Sequence, residues 1–445
     1  MGGILAKLTD AIWISFTSPE PDISATRIII AVILVFVVIV SCYFIFQEII
    51  RASSTDPRVA PANVALAKSS RQLALSAANS KEGFANMSAD KSLYVSLLSG
   101  VPKSESYLVN LCPLTASIGG YTGPLTDGVF DPEYYVQQAL RAGIRSFILP
   151  VSMYLDDNKK PPNWPYSGKP AIVCRNADGK ILSLNGMSIR KFCEVLMIYK
   201  SMVNAQASEP ILIYLDATTG YVPDIVRDEK KYVQFTSDIA KELKPLDPFR
   251  LLTISSYGSA VGGENQTNIL TQIPLTELKE KVLIFTNFNI TVGTKDAYSS
   301  IRPLLYDYAN FTYAPVTAAT VGTASANKCS SIHLSDVSGS QVNWTDQSRT
   351  SWMIAGQDDF TKTPDSASVS AATAIGIQTI PIPFFFTEPA QTQTLWSQWS
   401  GYAWQLKPPA ARYTKPPPIV PQNPSTALNA RVNDKLQPGQ TSVKA

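Results

Sequence analysis

Asp131-Pro-Glu-Tyr-Tyr-Val-Gln-Gln-Ala-Leu-Arg-Ala-Gly143, continued by Ile144-Arg-Ser-Phe-Ile-Leu-Pro-Val-Ser-Met153, reads as a helix that runs straight into a buried strand. Asp131 is a capping acid, Pro132 suits the first helical turn, and Gly143 suits the residue past the last turn. Phe147 to Met153 is then too short and too apolar to be anything but a strand covered on both faces. Working outward, the same kind of run recurs at Tyr107 to Cys112, Ala171 to Cys174, Ile211 to Leu215, Leu251 to Ile254, Val282 to Phe288, Trp352 to Ala355 and Thr379 to Phe386. Ile189, Phe192, Cys193, Leu196, Tyr199 and Val203 fall at helical spacing between the runs at Ala171 to Cys174 and Ile211 to Leu215, a helix face packed on a sheet with no cofactor implied. Eight short strands separated by helical patterns predict an α/β protein, a (β/α)8 TIM-type barrel, spanning residues 101–408. Residues 313–350 are polar and rich in Ser, Thr and Ala, and read as an insertion or lid.

The ends of the chain differ from this pattern. After a short segment, 1–27, residues 28–46 (Ile28 to Phe46) carry no charge over 19 positions, long enough to span a bilayer as one helix. The apolar core of a signal peptide runs only about 7 to 15 residues. A single transmembrane helix before the barrel is therefore expected, with Arg27 and Arg51 bracketing it too evenly to set its orientation. Residues 47–100 are Ala- and Ser-rich, a stalk; residues 409–445 form a proline-rich basic tail. The expected partners are the lipid bilayer, through Ile28 to Phe46, and proteins, through the stalk or the tail.

Composition removes whole classes of function. Lys plus Arg is 38 against 35 for Asp plus Glu, a net charge of +3, which argues against a nucleic-acid-binding face. Five cysteines, with no paired spacing, give neither a disulfide scaffold nor a zinc site. One histidine, His333, excludes any mechanism that needs two, and its polar setting marks it as a surface residue. No metal and no cofactor is expected. Chemistry in such a barrel belongs at the C-terminal strand ends. Those ends offer Cys112-Pro113, Asp156 with Asp157, Cys174-Arg175, Asp216, Glu264, Asp358 with Asp359, and Glu388. Five glycosylation sequons, at Asn86, Asn265, Asn289, Asn310 and Asn343, would suit a lumenal domain without requiring one.

From about Tyr107 to Pro408 the chain resembles the catalytic barrel of phosphatidylinositol-specific phospholipases C. The family's Y-F-I-S-S-S-H-N-T strand resembles Tyr107 to Thr115, and its G-x-R strand resembles Ala142 to Pro150. P-x-I-Y-H-G is similar to Pro170 to Arg175, and P-V-I-L-S-L-E to Pro210 to Asp216. G-x-Q-x-V-A-L-N-F resembles Gly376 to Phe384, and the closing G-Y-V-L-K-P resembles Gly401 to Pro408. Barrels of this general kind occur in large DNA viruses of eukaryotes, which makes a virion or viral membrane one expected setting.

The resemblance implies a two-histidine acid–base mechanism, with calcium in some members, and the departures fall on those positions. The two histidines align with Pro113 and Cys174, and the calcium-holding Asn and acids align with Leu114, Ile148, Pro150 and Asp216. Proline moves no proton, and a calcium ion takes about six to eight oxygens. Proton transfer alone is worth on the order of a hundredfold to ten-thousandfold. The expectation is a pseudoenzyme: a membrane-anchored, catalytically inactive barrel with a structural, binding or assembly role. The alternative is a hydrolase with replaced chemistry. It would use Asp216 with Asp156 or Asp157 as a carboxylate pair, or Cys174 as a thiolate nucleophile beside Arg175. Arg175 would be the donor for a phosphate headgroup, with Arg145 more consistent with a structural place at the other strand end. A Cys112–Cys174 disulfide is a further option in an oxidising lumen.

Overall fold

The computed structural model describes residues 101–417, apart from internal stretches of which 156–167, 292–303, 317–328 and 384–394 are the longest, and eight residues between 34 and 43. Segment 1–27, the stalk 47–100, most of 28–46 and the tail beyond 417 lie outside the described residues. Within 28–46 the eight described residues are helical, and Leu34, Val35, Val37, Val38 and Tyr43 are exposed. Among the described residues no helix is long and apolar enough to cross a membrane.

The helix-to-strand stretch forms as its sequence dictates. Helix α1 (Pro132–Arg141) is capped by Asp131, whose carboxylate accepts from the Tyr134 N–H at 3.3 Å. It ends at Gly143, whose φ of 87° a side chain would oppose. Strand β3 (Ser146–Met153) follows, every residue buried. Before it come β1 (Leu111–Pro113) and β2 (Thr115–Ser117); after it come β4 (Pro170–Ile172), α2 (Ile189–Val203), β5 (Ile211–Asp216) and α3 (Glu229–Glu242). The second half contains β6 (Val282–Thr286), β7 (Phe311–Thr312), β8 (Ala314–Pro315) and β9 (Cys329–His333). It continues with α4 (Leu334–Gly339), α5 (Trp344–Thr350), β10 (Trp352–Gly356), α6 (Ser366–Ala374), β11 (Pro381–Pro383) and β12 (Trp404–Leu406).

Parallel pairing runs β7-β6-β5-β3-β2-β11 in one sheet and β8-β9-β10 in another. Only Tyr313 separates β7 from β8, so they are one stave. On the other side Thr379 bridges Ile354 in parallel, and Ala355 N–H donates to the Thr379 carbonyl at 2.7 Å. The ring therefore closes: β2, β3, β5, β6, β7/β8, β9, β10 and β11 are eight parallel staves, a TIM-type barrel. The antiparallel ribbon β1–β12 covers its N-terminal end, where Leu114 N–H bonds the Ala403 carbonyl and Arg145 N–H bonds the Leu114 carbonyl.

Three expected staves are corrected. Residues 107–112 form a 3-10 turn and the start of the β1 ribbon; β4 pairs antiparallel on β3, outside the ring; and 253–254 belongs to a small hairpin with 258–259. Their places are taken by β2, β7/β8 and β9. β9 lies within the region read as an insertion and β7/β8 runs into it, so the described part of 313–350 supplies barrel staves and two helices.

The tail boundary also moves. Asn110 accepts from Tyr413 N–H and donates to the Tyr413 carbonyl, each at 2.7 Å, and Lys415 N–H bonds the Ser104 carbonyl. Residues 409–417 thus clasp 104–110, and the chain enters and leaves the barrel side by side at its N-terminal end.

Candidate functional site at the barrel mouth

Register decides what faces the lumen, because alternate residues of a strand share a face. Ile148 lies beside Tyr214 and Pro150 beside Asp216; Phe285 lies beside both Tyr214 and Phe311. The lower layer is filled by aromatic rings. Tyr214 stacks on Phe285 at 4.5 Å between centroids and Phe285 on Phe311 at 4.4 Å. Trp352 Nε1–H donates to the Tyr214 hydroxyl at 2.9 Å and to Thr379 Oγ1 at 3.0 Å, and Tyr214 and Thr379 bond each other at 2.7 Å. Burial holds the Tyr214 phenol protonated, its pKa raised far above the ordinary value. This layer is a satisfied packed core that closes the barrel from below.

Above it lies the mouth. Asp216, 4% exposed, accepts at Oδ2 from the Tyr313 hydroxyl at 2.7 Å and from Asn287 Nδ2 at 3.2 Å. Asn287 is fixed in turn, its Oδ1 accepting from Ala217 N–H at 2.8 Å. Burial, reinforced by the Asp216 carboxylate, pushes the Tyr313 phenol well above its usual range, so it donates and does not ionise. Next to this group, β3 presents Ile148 and Pro150, which offer no side-chain oxygen. Strand β2 ends in Ser117 and in Ile118, whose φ of 49° is a strained value for a β-branched residue.

The sequence-predicted residues are scattered by this arrangement. Pro113 and Leu114 sit on and just after the β1 ribbon, at the end of the barrel opposite the mouth, so the residues that end the first stave are Ser117 and Ile118. Cys174 is fully buried just beyond β4. Arg175 is not poised for a headgroup: Nη1 donates to the Gly179 carbonyl at 2.7 Å and Nη2 to the Leu155 carbonyl at 2.9 Å, tying two loops together. Arg145 pairs with Glu209 at the N-terminal end. Asp156, Asp157, Glu264, Asp358, Asp359 and Glu388 lie outside the described residues, as do Asn86, Asn265 and Asn343. Asn310 is buried, and cannot carry a glycan in the folded protein: Oδ1 accepts from Ile284 N–H, and Nδ2 donates to the Leu251 and Ala260 carbonyls.

Two mouth residues escape the sequence reading, Asn287 and Tyr313, and a third, His333, reads there as a surface residue of the insertion. His333 is the last residue of β9, opposite Gly356, and half-buried at a stave end, not on an insertion. Asn287 had a visible signal, since it follows the apolar run of β6 directly. Tyr313 had none, lying in a two-plus-two stave too short to register as a strand.

The optional Cys112–Cys174 disulfide is not formed in this structure: Cys112, Cys174, Cys193 and Cys329 are buried and outside any disulfide. Cys112 lies in the β1 ribbon with its thiol on the Ile377 carbonyl at 3.6 Å, its pKa pushed up to about 12 by burial, while Cys174 lies beside β3. All four barrel thiols should resist alkylation in the native protein and all four should react after unfolding without reductant. An intact mass lacking two alkyl groups would restore a disulfide.

A calcium ion of the kind the resemblance implies does not fit the donors present. Among the described mouth residues Asp216 is the one carboxylate, and no cluster of three or more His, Cys, Asp or Glu occurs among the described residues.

No family model matches this chain, and no curated protein matches it. Among solved structures it is similar to PLC21 of L. pealei, at 15% identity and TM-score 0.43, covering 69% of this chain and 38% of that one. It is similar to a calcium-dependent phosphoinositol-specific phospholipase C from a Pseudomonas species, at 11% identity and TM-score 0.40, covering 68% and 96%. A third is a glycerophosphodiester phosphodiesterase from Parabacteroides distasonis, at 8% identity and TM-score 0.35, covering 65% and 99%. The chain spans well under half the length of the PLC21 structure. The barrel assignment itself rests on the strand pairing described above.

Proposed function

We propose that this protein is a membrane-tethered barrel of the phospholipase C type that has given up phosphodiester cleavage and acts by binding or assembly. The observation that carries the reading is the mouth itself. Two neighbouring positions are Ile148 and Pro150, and the one carboxylate among the described mouth residues, Asp216, is bonded by Tyr313 and Asn287. Proton transfer from a 2-hydroxyl needs a base with a free lone pair near neutral pH, and the charge built up on a phosphodiester needs a metal or cationic donors. Arg175 and Arg145, the nearest candidates in the sequence, are spent on backbone carbonyls and on Glu209. Replaced chemistry through Cys174 has no support, since a fully buried thiol meets no substrate.

Membrane attachment through Ile28 to Phe46 is supported by 19 uncharged residues and by the exposed apolar side chains of the helical part that is described. The stalk then delivers the barrel by its N-terminal end, and the basic tail departs from the same place, next to the tether. Recruitment of a protein partner to a membrane, in a virion or elsewhere, is the role this layout suits.

The test is hydrolysis of phosphatidylinositol and of a soluble phosphodiester analogue by the detergent-solubilised full chain, with and without Ca²⁺. Turnover is expected to equal that of the Asp216→Asn and Cys174→Ala variants and of buffer. Turnover in the wild type that either substitution abolishes would overturn the silent-barrel reading.

A further inference from the structure

We infer that Asn289 carries an N-linked glycan at the rim of the barrel mouth, an inference that rests on the reading of 28–46 as an anchor and places the barrel on the lumenal side. Asn289-Ile-Thr291 is a sequon directly after β6. Its flanking residues Phe288 and Ile290 are buried, which turns Asn289 outward, and Asn289 is exposed. Its backbone N–H donates to the Tyr232 hydroxyl at 2.7 Å, so the loop is fixed to α3.

The local chemistry suits the modification. Asn289 Oδ1 accepts from Thr291 N–H at 3.1 Å and from Thr291 Oγ1 at 3.0 Å, the turn in which the sequon hydroxyl polarises the carboxamide. In the transfer, Nδ2 attacks the anomeric carbon of a lipid-pyrophosphate-linked oligosaccharide. An N–C bond forms, the bond from that carbon to the pyrophosphate oxygen breaks, the lipid pyrophosphate leaves, and the amide proton passes to a base of the transferase. The fold discriminates between sequons: Asn310 is sealed by three hydrogen bonds, whereas the Asn289 side chain is exposed. The four buried thiols are screened from oxidants, so a lumenal barrel needs no disulfides.

The position has a functional consequence. Asn289 is two residues beyond Asn287, which holds Asp216. A glycan there stands over the mouth and keeps a bilayer away from it, as suits a barrel attached by its opposite end that no longer processes lipid.

The experiment expresses the full chain in cells with a secretory pathway and reads peptide-N-glycosidase-sensitive steps by gel and by mass mapping. Asn289→Gln and Thr291→Ala should each lose one step. Pro424→Ala, which converts Asn423-Pro-Ser into an acceptor in the tail, should gain one and reports the side of the membrane independently. A gained step in Pro424→Ala with none lost in Asn289→Gln overturns the assignment of Asn289 while leaving the barrel lumenal. No step in any variant overturns the lumenal placement and the glycan together. Extraction with alkaline carbonate tests the anchor separately: retention in the membrane pellet keeps that reading even if the glycan fails.

Discussion

Arg145→Met is expected to destabilise the barrel by about 3 to 5 kcal/mol, the cost of removing one partner from a buried ion pair. Arg145 is 1% exposed and Glu209 is fully buried, and they pair directly at the N-terminal ends of β3 and β5. Arg145 Nη1 also donates to the carbonyls of Leu140, in the last turn of α1, at 2.8 Å and of Ile144 at 3.0 Å. Methionine fills similar volume but leaves the Glu209 carboxylate without the Arg145 cation and takes one donor from each of the Leu140 and Ile144 carbonyls, the first of which keeps the Gly143 N–H. The check is the urea midpoint of the detergent-solubilised full chain, with an unchanged slope indicating that stability alone has moved. Adding Glu209→Gln to Arg145→Met should recover part of the loss, because the uncompensated charge is then gone. A single variant within about 0.5 kcal/mol of the wild type would mean that the pair contributes nothing net. The same residue is the arginine that matches the G-x-R of the resemblance, and its place in the fold is structural, at the strand end away from the mouth.

What the sequence makes legible follows from where each signal is local. Helix α1 and strand β3 are fully written in Asp131, Pro132, Gly143 and the apolar run after them, and α2 in its stripe from Ile189 to Leu196. Staves β5, β6 and β10 are short apolar runs that pair as such runs should. Stave β2 reads Thr-Ala-Ser and β9 reads Cys-Ser-Ser-Ile-His, because a stave lining the mouth shows polar residues on its inner face and loses the pattern that marks a strand. Conversely, 171–174 and 251–254 look like staves because they are apolar, yet hydrophobicity does not say which strand is the partner. Asp216 stood out as an acid ending an apolar run. Its partners did not, since Tyr313 and Asn287 lie 97 and 71 residues further along and meet it only through closure of the ring.

Lys407→Met is expected to stabilise the barrel, and by more at pH 7 than at pH 9. Lys407 is fully buried, with Nζ donating to the Ser348 carbonyl of α5 and with Cys112 and Arg349 as the ionisable groups that act on it. Burial lowers its pKa from 10.5 to about 7; the Cys112 thiol beside it pulls the other way, and Arg349 adds to the lowering. The direction of the pH effect follows. Below about pH 7 the amine is charged in both folded and unfolded chains, and the full burial cost is present. Between about 7 and 10.5 the unfolded chain holds the proton and the folded one does not, so stability rises with pH. From 10.5 to about 7 is 3.5 units, and at about 1.4 kcal/mol each the cost is on the order of 4 to 5 kcal/mol. Methionine carries none of it, so its advantage over the wild type should shrink by about 2 to 3 kcal/mol between pH 7 and pH 9. Urea titrations of both proteins at the two pH values read this difference directly; groups not coupled to Lys407 cancel between them, and Cys112, which is coupled to it, keeps its proton in the fold at both pH values. A gap that stays constant with pH would show that Lys407 keeps its proton in the fold, held by the Ser348 carbonyl. The residue is the lysine of the closing G-Y-V-L-K-P match, buried where 404–417 meets 104–112, so the pH dependence it carries acts on the contact that joins the two chain ends at the N-terminal end of the barrel.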